Sequence, residues 1–568
     1  MRYDIVIVSY NSERWLPGCI GALAKLKYDL SQLHVIVVDN GSAVPCVEML
    51  RQLQREYACF GAFTVELCEK NAGFSSGCNR GVGLGSAPYV FLLNVDTEIC
   101  PDALAELDRA IDKAGEKAGA FELRQKPWEF CQHHDPVTQE VEWNSGACVV
   151  YPRAVYEQVG GFDENIFLYC EDVDISWRIR AHGYTLQYVP RAAVYHYTLT
   201  KKDTSEKMFR EFVWTQYTKL MLHYKYCGWK ECLKACREYL HTLRYPPHFP
   251  HVRKVLLKNF LRHFLEIPKY AVWRYKNKEI AVKVPVKWVH GFTTMRGRYT
   301  FRALTEAPLV SVCLRAGAQP DALRRTLCSL RNQTYENFEV VLQQDGSAAF
   351  EELVQKEFGD LQIRYEANGA ELGAAKTGNR AMARAAGAYL LLANAGDLFY
   401  AEHLELMVTT FQAYPEAELV LNGYVRRENE AGAMTYEQPA RLTLPLLCSQ
   451  NPIPLCTAAF RRELYEKAGG LSESMKENEA WDMWLRFFAV SACAYANPRA
   501  TSLVQLPDDA VQRETIFRKQ WESILADPAL VWKMDVRQLS ALHYGAEEAQ
   551  LAKLISIYDE WPEELKDL

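Results

Sequence analysis

The chain has 568 residues, too many for one hydrophobic core, so two or three domains are expected. Its 49% hydrophobic and 24% charged content excludes a disordered or fibrous protein, and no apolar run approaches the roughly 18 residues of a membrane span. The net charge of −6 conceals an asymmetry: residues 201–300 carry 22 Lys/Arg against 7 Asp/Glu, which leaves the flanks acidic.

The first strand, Tyr3 to Val8, begins beside Met1 and leaves no room for a signal peptide, so a cytoplasmic location is expected. The 17 cysteines are scattered through apolar stretches without paired doublets, which predicts buried free thiols. After DIVIVSYN the pattern predicts a helix over 16–26, a strand HVIVVDNGS, a helix over 46–57 and a strand over 63–68. A glycine-rich turn and helix (NAGFSSGCNRGVGLG), a strand YVFLLNVD and a helix over 103–110 follow. Strands alternating with helices imply an α/β domain with a largely parallel sheet covered on both faces. Ligands bind such sheets at the carboxyl ends of the strands, where Asn11, Asp39, Asn71 and Asp96 all fall. A dinucleotide-binding Rossmann domain is excluded, because the first strand runs into SYN and the glycines come only after the third strand.

Residues 201–300 interleave aromatic and basic residues, with apolar positions such as Val255, Leu256, Phe260, Phe264 and Leu265 at helical spacing. Basic amphipathic helices follow, either as a solvated bridge between acidic domains or as an attachment to an anionic membrane surface. No nucleic-acid-binding motif accompanies the charge, so nucleic acid is not an expected partner. The second half repeats the first: PLVSVCLRA, a helix over 321–331, FEVVLQQDGS, a strand over 363–365, a helix over 373–386 and YLLLANAGD. The expected domains are 1–200, a basic helical segment 201–304, a second α/β domain 305–512 and an acidic helical tail 513–568.

The duplication extends to motifs. GGFDENIFLYCEDVDISWR, Gly160 to Arg178, is answered about 308 residues later by GGLSESMKENEAWDMWLR, Gly469 to Arg486. Asn79-Arg80 answers Asn379-Arg380, and Pro190-Arg191 answers Pro498-Arg499. Residues that both copies keep serve the fold; those that one copy lost served a reaction. Asp96, after a buried strand in Asn94-Val95-Asp96, suits a divalent cation or a helix cap. Glu171 and Asp172 enter a helix as crowded carboxylates, which raises proton affinity and suits a general base. His196 follows a strand and is by itself more often structural. The second copy has Gly396 for Asp96, Ala480 for Asp172 and Val504 or Gln505 for His196. Three ionisable groups lost together favour one shared chemical role.

The series VSYN, VVDNGS, N-A-G-F-x-x-G-x-N-R-G, LLNVDT, SGACVVYPRAVYEQVGGFDE, EDVDISWR and YVPRAAVYH resembles the inverting family-2 glycosyltransferases of GT-A fold. The likeness is nearest to the rhamnosyltransferase-like branch that builds bacterial surface polysaccharide, and it covers nearly all of residues 3–200. The resemblance implies that Tyr10, Asn11 and Asp39 contact the nucleoside, with Asn71, Gly73, Asn79 and Arg80 around the ribose and diphosphate. It places Asp96 at the second position of a metal-binding DxD motif that begins here with Asn94, and His196 as a further metal ligand. Asp172, with Glu171 beside it, matches the base, and Trp143, Ser145 and Gly146 would lie near the sugar and acceptor. It further implies Mn2+ or Mg2+ as cofactor, a dTDP- or UDP-sugar donor and a glycan or lipid-linked oligosaccharide acceptor. The second half resembles a degenerate GT-A domain, with Gln344-Asp345 for Asp39-Asn40 and Arg315-Ala316 for Tyr10-Asn11. The rival readings are a noncatalytic scaffold, which leaves the intact N-terminal residues unexplained, and a bifunctional polymerase, which lacks a base at Ala480.

Overall fold

A computed structural model describes residues 1–126, 133–197, 204–285, 303–347, 350–427, 434–437, 442, 447, 451–475, 479–490, 493–505 and 552–554. The chain divides into two compact units, the first running to residue 294 and the second beginning at residue 295 and taking in residues 135–138.

In the first unit the strands are β1 (Tyr3–Ser9), β2 (Leu33–Asp39), β3 (Ala62–Leu67), β4 (Tyr89–Leu93), β5 (Thr97–Ile99), β6 (Ala118–Lys126), β7 (Cys148–Pro152) and β8 (Thr185–His196). They form one sheet in the order β3-β2-β1-β4-β7-β6-β8-β5. Strands β1 to β4 pair in parallel, as the alternation predicts. The far half differs: β7 runs antiparallel to β4 and β6, and β5 antiparallel to β8. The sheet is therefore mixed, with antiparallel pairs β4–β7, β7–β6 and β8–β5 beyond the parallel half.

Alternation along the strands feeds two cores. Ile5, Ile7, Val35 and Val37 face helices α1 (Leu16–Ala24), α2 (Val44–Glu56) and α4 (Ala103–Ala114). Val6, Ile36, Val38 and Leu92 face α3 (Phe74–Val82), α5 (Arg153–Gln158) and α6 (Glu171–Ala181). Four further helices, α7 (Thr204–Tyr226), α8 (Trp229–Arg244), α9 (Val252–Lys276) and α10 (Lys278–Lys283), complete the unit. Leu222 and Tyr226 of α7 and Ala281 of α10 pack with Val173 and Trp177 of α6, so this segment is part of the first unit rather than a solvated bridge.

The second unit repeats the plan with β9 (Val310–Ala316), β10 (Phe338–Gln344), β11 (Ile363–Ala367), β12 (Tyr389–Asn394), β13 (Leu398–Phe399), β14 (Leu419–Arg427), β16 (Ala458–Arg461) and β17 (Ala494–Gln505). Their order, β11-β10-β9-β12-β16-β14-β17-β13, matches the first sheet position by position, while β15 (Met434–Glu437) and β18 (Ala552–Leu554) attach to β14 and β17. The predicted helical tail 513–568 lies outside the described residues except for β18, which is a strand. The described cysteines are free thiols.

A buried carboxylate pins the start of each sheet. Asp4 accepts hydrogen bonds from the Ala87 N–H at 2.7 Å, Arg153 at 2.5 Å and His34 at 3.1 Å. Burial alone would raise its pKa; these donors hold it below the usual value. In the second sheet Ser311 stands at the Asp4 position and the carboxylate has moved to the neighbouring strand, as Glu339, where it accepts from Ser311 and from the Ala386 N–H. Asp4→Ala removes the buried carboxylate that Arg153, His34 and the Ala87 N–H share and is expected to cost about 3–5 kcal/mol in urea unfolding.

Candidate active site

The carboxyl ends of β1 and β2 form one wall. Ser9 and Asp39 lie opposite each other in register. Tyr10 then turns outward, half-exposed, and Asn11 takes a left-handed φ of 48°. Asn11 locks two loops together: its N–H donates to Ser42 Oγ at 2.8 Å and its Oδ1 accepts from the Ala43 N–H at 2.9 Å. Asp39, buried, accepts from the Ser42 N–H at 3.0 Å. Asn71 Oδ1 accepts from Asn40 and from the Gly73 N–H, shaping the turn before α3. Gly73 has a φ of 95°, and a Cβ there would stand 2.7 Å from the Phe167 carbonyl oxygen. Only glycine satisfies both constraints.

The end of β4 carries Asn94 and Asp96. Antiparallel pairing sets Thr97 opposite His196 and brings His196 Nε2 to 3.4 Å from Asp96 Oδ1. The other ring nitrogen, Nδ1, lies 2.6 Å from Gln125 Oε1 on β6, which makes it the N–H donor and directs the Nε2 lone pair towards Asp96. A carboxylate oxygen beside an oriented imidazole nitrogen suits a divalent cation. Asn94 Oδ1 is buried with no hydrogen-bond partner among the described residues. Among the described residues no group of three or more His, Cys, Asp or Glu side chains gathers for a metal.

Helix α6 delivers the carboxylates. Tyr169 and Cys170 both adopt left-handed φ, 65° and 67°, a costly conformation for side-chain-bearing residues that reverses the chain into the helix. Asp172 Oδ2 accepts from the Gly146 N–H at 3.0 Å and Oδ1 from its neighbour Val173 at 2.8 Å. The next residue, Ala147, accepts from the Asn94 N–H at 2.8 Å, so the Gly146-Ala147 segment ties the end of β4 to Asp172. Burial raises the proton affinity of both Glu171 and Asp172, and for Glu171 the charge of Asp172 adds to it. Glu171 Oε2 is a second buried acceptor without a partner among the described residues. Ser145 and Trp143 are buried, and Trp143 packs against Ile166, Val173 and Trp177.

Two expected donor contacts are otherwise engaged. Asn79 spends both ends of its amide on the segment entering α6: Nδ2 donates to the Phe162 carbonyl and Glu164, and Oδ1 accepts from Tyr156 and the Phe162 N–H. Asn379 does the same with Leu471 and Glu473, so this bond set belongs to the fold. Arg80 pairs with Glu66. The structure thus gives both side chains protein partners at the edge where the donor contact is expected.

No motif signals what anchors α6. Asp174, fully buried, accepts from Arg178 Nε at 2.9 Å, Lys225 Nζ at 2.5 Å and Tyr226 Oη at 2.7 Å. Lys225, on α7 and equally buried, also donates to Asp163 at 2.8 Å and lies 4.2 Å from the centre of the Trp273 ring. Burial pushes Asp163 up, but Lys225 and the donors of Asn165 outweigh it and hold the pKa at about 2.

The second domain shows the same site filled from within. Sheet register pairs Arg315 with Val8 rather than Tyr10, since Val310 and Tyr3 hold equivalent places against Tyr389 and Tyr89. Its guanidinium donates to Asn394 Oδ1, the Ala374 carbonyl and Glu479 Oε1 at 2.8, 2.9 and 2.8 Å. Asn394 and Glu479 correspond to Asn94 and Glu171, the residues that carry the unpartnered acceptors of the first domain. The pairing of Leu398 with Leu503 assigns Val504 to the His196 position. Asp397, one residue beyond Gly396, caps its own turn by accepting from the Asn394 N–H at 2.8 Å.

The glycosyl transferase family 2 model matches residues 4–175 and again 311–469. The chain belongs to glycosyl transferase family 2, and both of its sheet domains are GT-A-like. An N-acetylglucosaminyl-diphospho-decaprenol L-rhamnosyltransferase of Mycobacterium tuberculosis is 40% identical over 74 residues, 12% of this chain and 24% of that one. A poly-beta-1,6-N-acetyl-D-glucosamine synthase of Staphylococcus epidermidis is 22% identical over 206 residues, 33% and 48% of the two chains. The matches thus span only part of these curated relatives. Among solved structures, the mannosyltransferase PcManGT of Pyrobaculum calidifontis, in complex with GDP-Man and Mn2+, aligns with 50% of this chain and 86% of its own at 16% identity and a TM-score of 0.33.

Lys225→Met removes the cation shared by two buried carboxylates and is expected to cost about 3–5 kcal/mol in urea unfolding at neutral pH. Asp163 has a folded pKa below its unfolded value, so its stabilisation is complete above about pH 4 and is lost as pH falls through about 2. The destabilisation by Lys225→Met should therefore shrink on acidification over that window.

Proposed function

We propose that the first domain is an inverting glycosyltransferase that moves a hexose, with rhamnose as the leading candidate, from a dTDP- or UDP-sugar to a hydroxyl of a growing surface polysaccharide. The acceptor would be carried on lipid, and the protein would work in the cytoplasm at the inner face of the membrane. The rhamnosyltransferase relative, whose name specifies a diphospho-decaprenol acceptor, supports the lipid-linked reading. The observation that carries the chemistry is Asp172, held by the Gly146 and Val173 N–H groups and raised in proton affinity by burial.

Asp172 takes the proton of the acceptor hydroxyl as its oxygen bonds to the anomeric carbon. The bond from that carbon to the diphosphate breaks in the same displacement, and the nucleoside diphosphate leaves. Asp96 and His196 would hold Mn2+ or Mg2+, with Gln125 fixing the imidazole. When bound, the cation supplies neutralisation of the diphosphate charge. Tyr10, Asn11 and Asp39 would receive the nucleoside, while Asn71 and Gly73 shape the turn facing the diphosphate. The buried acceptors on Asn94 and Glu171 would take hydroxyl donors of the sugar, and Trp143, Ser145 and Gly146 would form the wall nearest the acceptor. The second domain is read as a retired copy, because Arg315 satisfies the acceptors a ligand would otherwise meet.

Asp172→Asn should lower kcat by roughly 10²- to 10⁴-fold while donor binding persists; undiminished turnover would remove Asp172 as the base. In the native enzyme kcat/KM should rise with pH as Asp172 loses its proton, with the midpoint above the ordinary aspartate value of about 3.9. Calorimetry of UDP and dTDP with manganese should find one site, which Asp96→Ala abolishes and Asp397→Ala leaves intact. Two sites would overturn the reading of the second domain.

A further inference from the structure

Helix α9 is apolar on two opposite faces. One face is buried: Val252, Leu256, His263 and Tyr270 recur at roughly seven-residue intervals, with Leu256 in the core that α7, α8 and α9 share. The other lies open. Leu257, Leu261, Phe264, Leu265, Val272 and Tyr275 fall within about 100° of one another around the helix. Leu261 is 60% exposed, Leu265 77% and Tyr275 82%. An exposed stripe of this length, about 25 Å, is unusual for a surface that meets only water.

Charge identifies what meets it. Helix α9 carries seven Lys/Arg and one acid, Glu266, and that acid is already paired with Lys269 at 2.7 Å. Lys258, Lys269 and Lys276 project along one flank of the apolar stripe, where their long stems place ammonium groups at the level of an adjoining polar layer. Helix α8 adds Trp229, 70% exposed, in line with Leu233 and Leu240. Two copies of this face brought together would oppose basic helices across the contact, whereas an anionic lipid surface accepts both the leucines and the lysines.

We propose that the outer face of α9, continued by the Trp229 stripe of α8, docks the enzyme on an anionic bilayer with the helix lying in the headgroup plane. The proposal deepens the reading of a lipid-linked acceptor by naming the surface that brings the active site to it. It does not depend on the identity of the transferred sugar.

The test is co-sedimentation of the full chain with phosphatidylglycerol–phosphatidylcholine vesicles and with phosphatidylcholine alone. Binding is expected to the anionic vesicles, weakening with added salt. A triple variant, Leu261→Ser, Phe264→Ser and Leu265→Ser, should weaken it by roughly tenfold or more, because the changed side chains supply the apolar part of the contact. All three are exposed, so circular dichroism and calorimetric nucleotide binding should match the native protein. Native protein that stays in the supernatant, or a variant that binds equally well, would overturn the proposal. So would a concentration-dependent dimer in light scattering that the triple variant dissolves while vesicle binding persists. Failure here with Asp172-dependent transfer intact would leave the glycosyltransferase reading standing.

Discussion

A carboxylate with no access to water is tenable only when cations and donors surround it, and Asp174 imposes that condition on the whole first domain. Arg178 meets it from the same helix, and its guanidinium also reaches the Val159 carbonyl, fixing the segment that leads into α6. Lys225 and Tyr226 meet it from α7 and so commit the helical segment to the site. Asp172 stands two residues before Asp174 on the same turn of helix. In the second domain Asp482 and Arg486 keep the helix-internal pair, and Arg486 reaches Ala468 as Arg178 reaches Val159. The part contributed by Lys225 accompanies the copy that retains Asp172. The basic helices are thus structural members of the first domain as well as a surface.

The two domains also show two solutions to one electrostatic problem. An asparagine at the end of the fourth strand and a glutamate at the start of the acidic helix leave buried oxygen acceptors at the sheet edge. Such groups carry a desolvation penalty until something donates to them. Arg315 donates permanently in the second domain, from a strand position where the first domain has Val8. A valine cannot donate, and Asn94 Oδ1 and Glu171 Oε2 have no hydrogen-bond partner among the described residues. The copy that holds this internal cation is also the one with Gly396, Ala480 and Val504 in the places of Asp96, Asp172 and His196.

Much of this was legible in the sequence because the relevant signals are local. The strands β1 to β4 read directly from apolar runs, and the polar residues that follow them stand together at one edge because a parallel sheet allows nothing else. Pairings across the far half of the sheet were not legible: antiparallel β5–β8 contact depends on register, and only the structure decides between Val504 and Gln505 at the His196 position. The same limit misplaced Arg315 by two residues. Gln125 and Lys225 carried no motif, since each acts through a partner 71 or 51 positions away. Asn79 shows a different limit, because its motif gave no sign of the bonds it makes to the segment entering α6, which Asn379 repeats in the second copy.

Helix α9 explains why its segment supported two readings. A helix with apolar residues on one side and charges on the other belongs to a core, but α9 has two apolar faces with basic flanks between them. Periodicity alone sums these faces, so Leu256 and Leu265 count alike although one is buried and the other is 77% exposed. Burial of Leu256 needs the partner faces of α7 and α8, both of which the first domain supplies. Exposure of Leu265 has no such return within the described residues, and a chain gains nothing in water from holding leucine, phenylalanine and tyrosine in one open row. The inner face accounts for where the helix sits on the domain; the outer face, apolar with basic flanks, is the feature on which the proposed docking to an anionic bilayer rests.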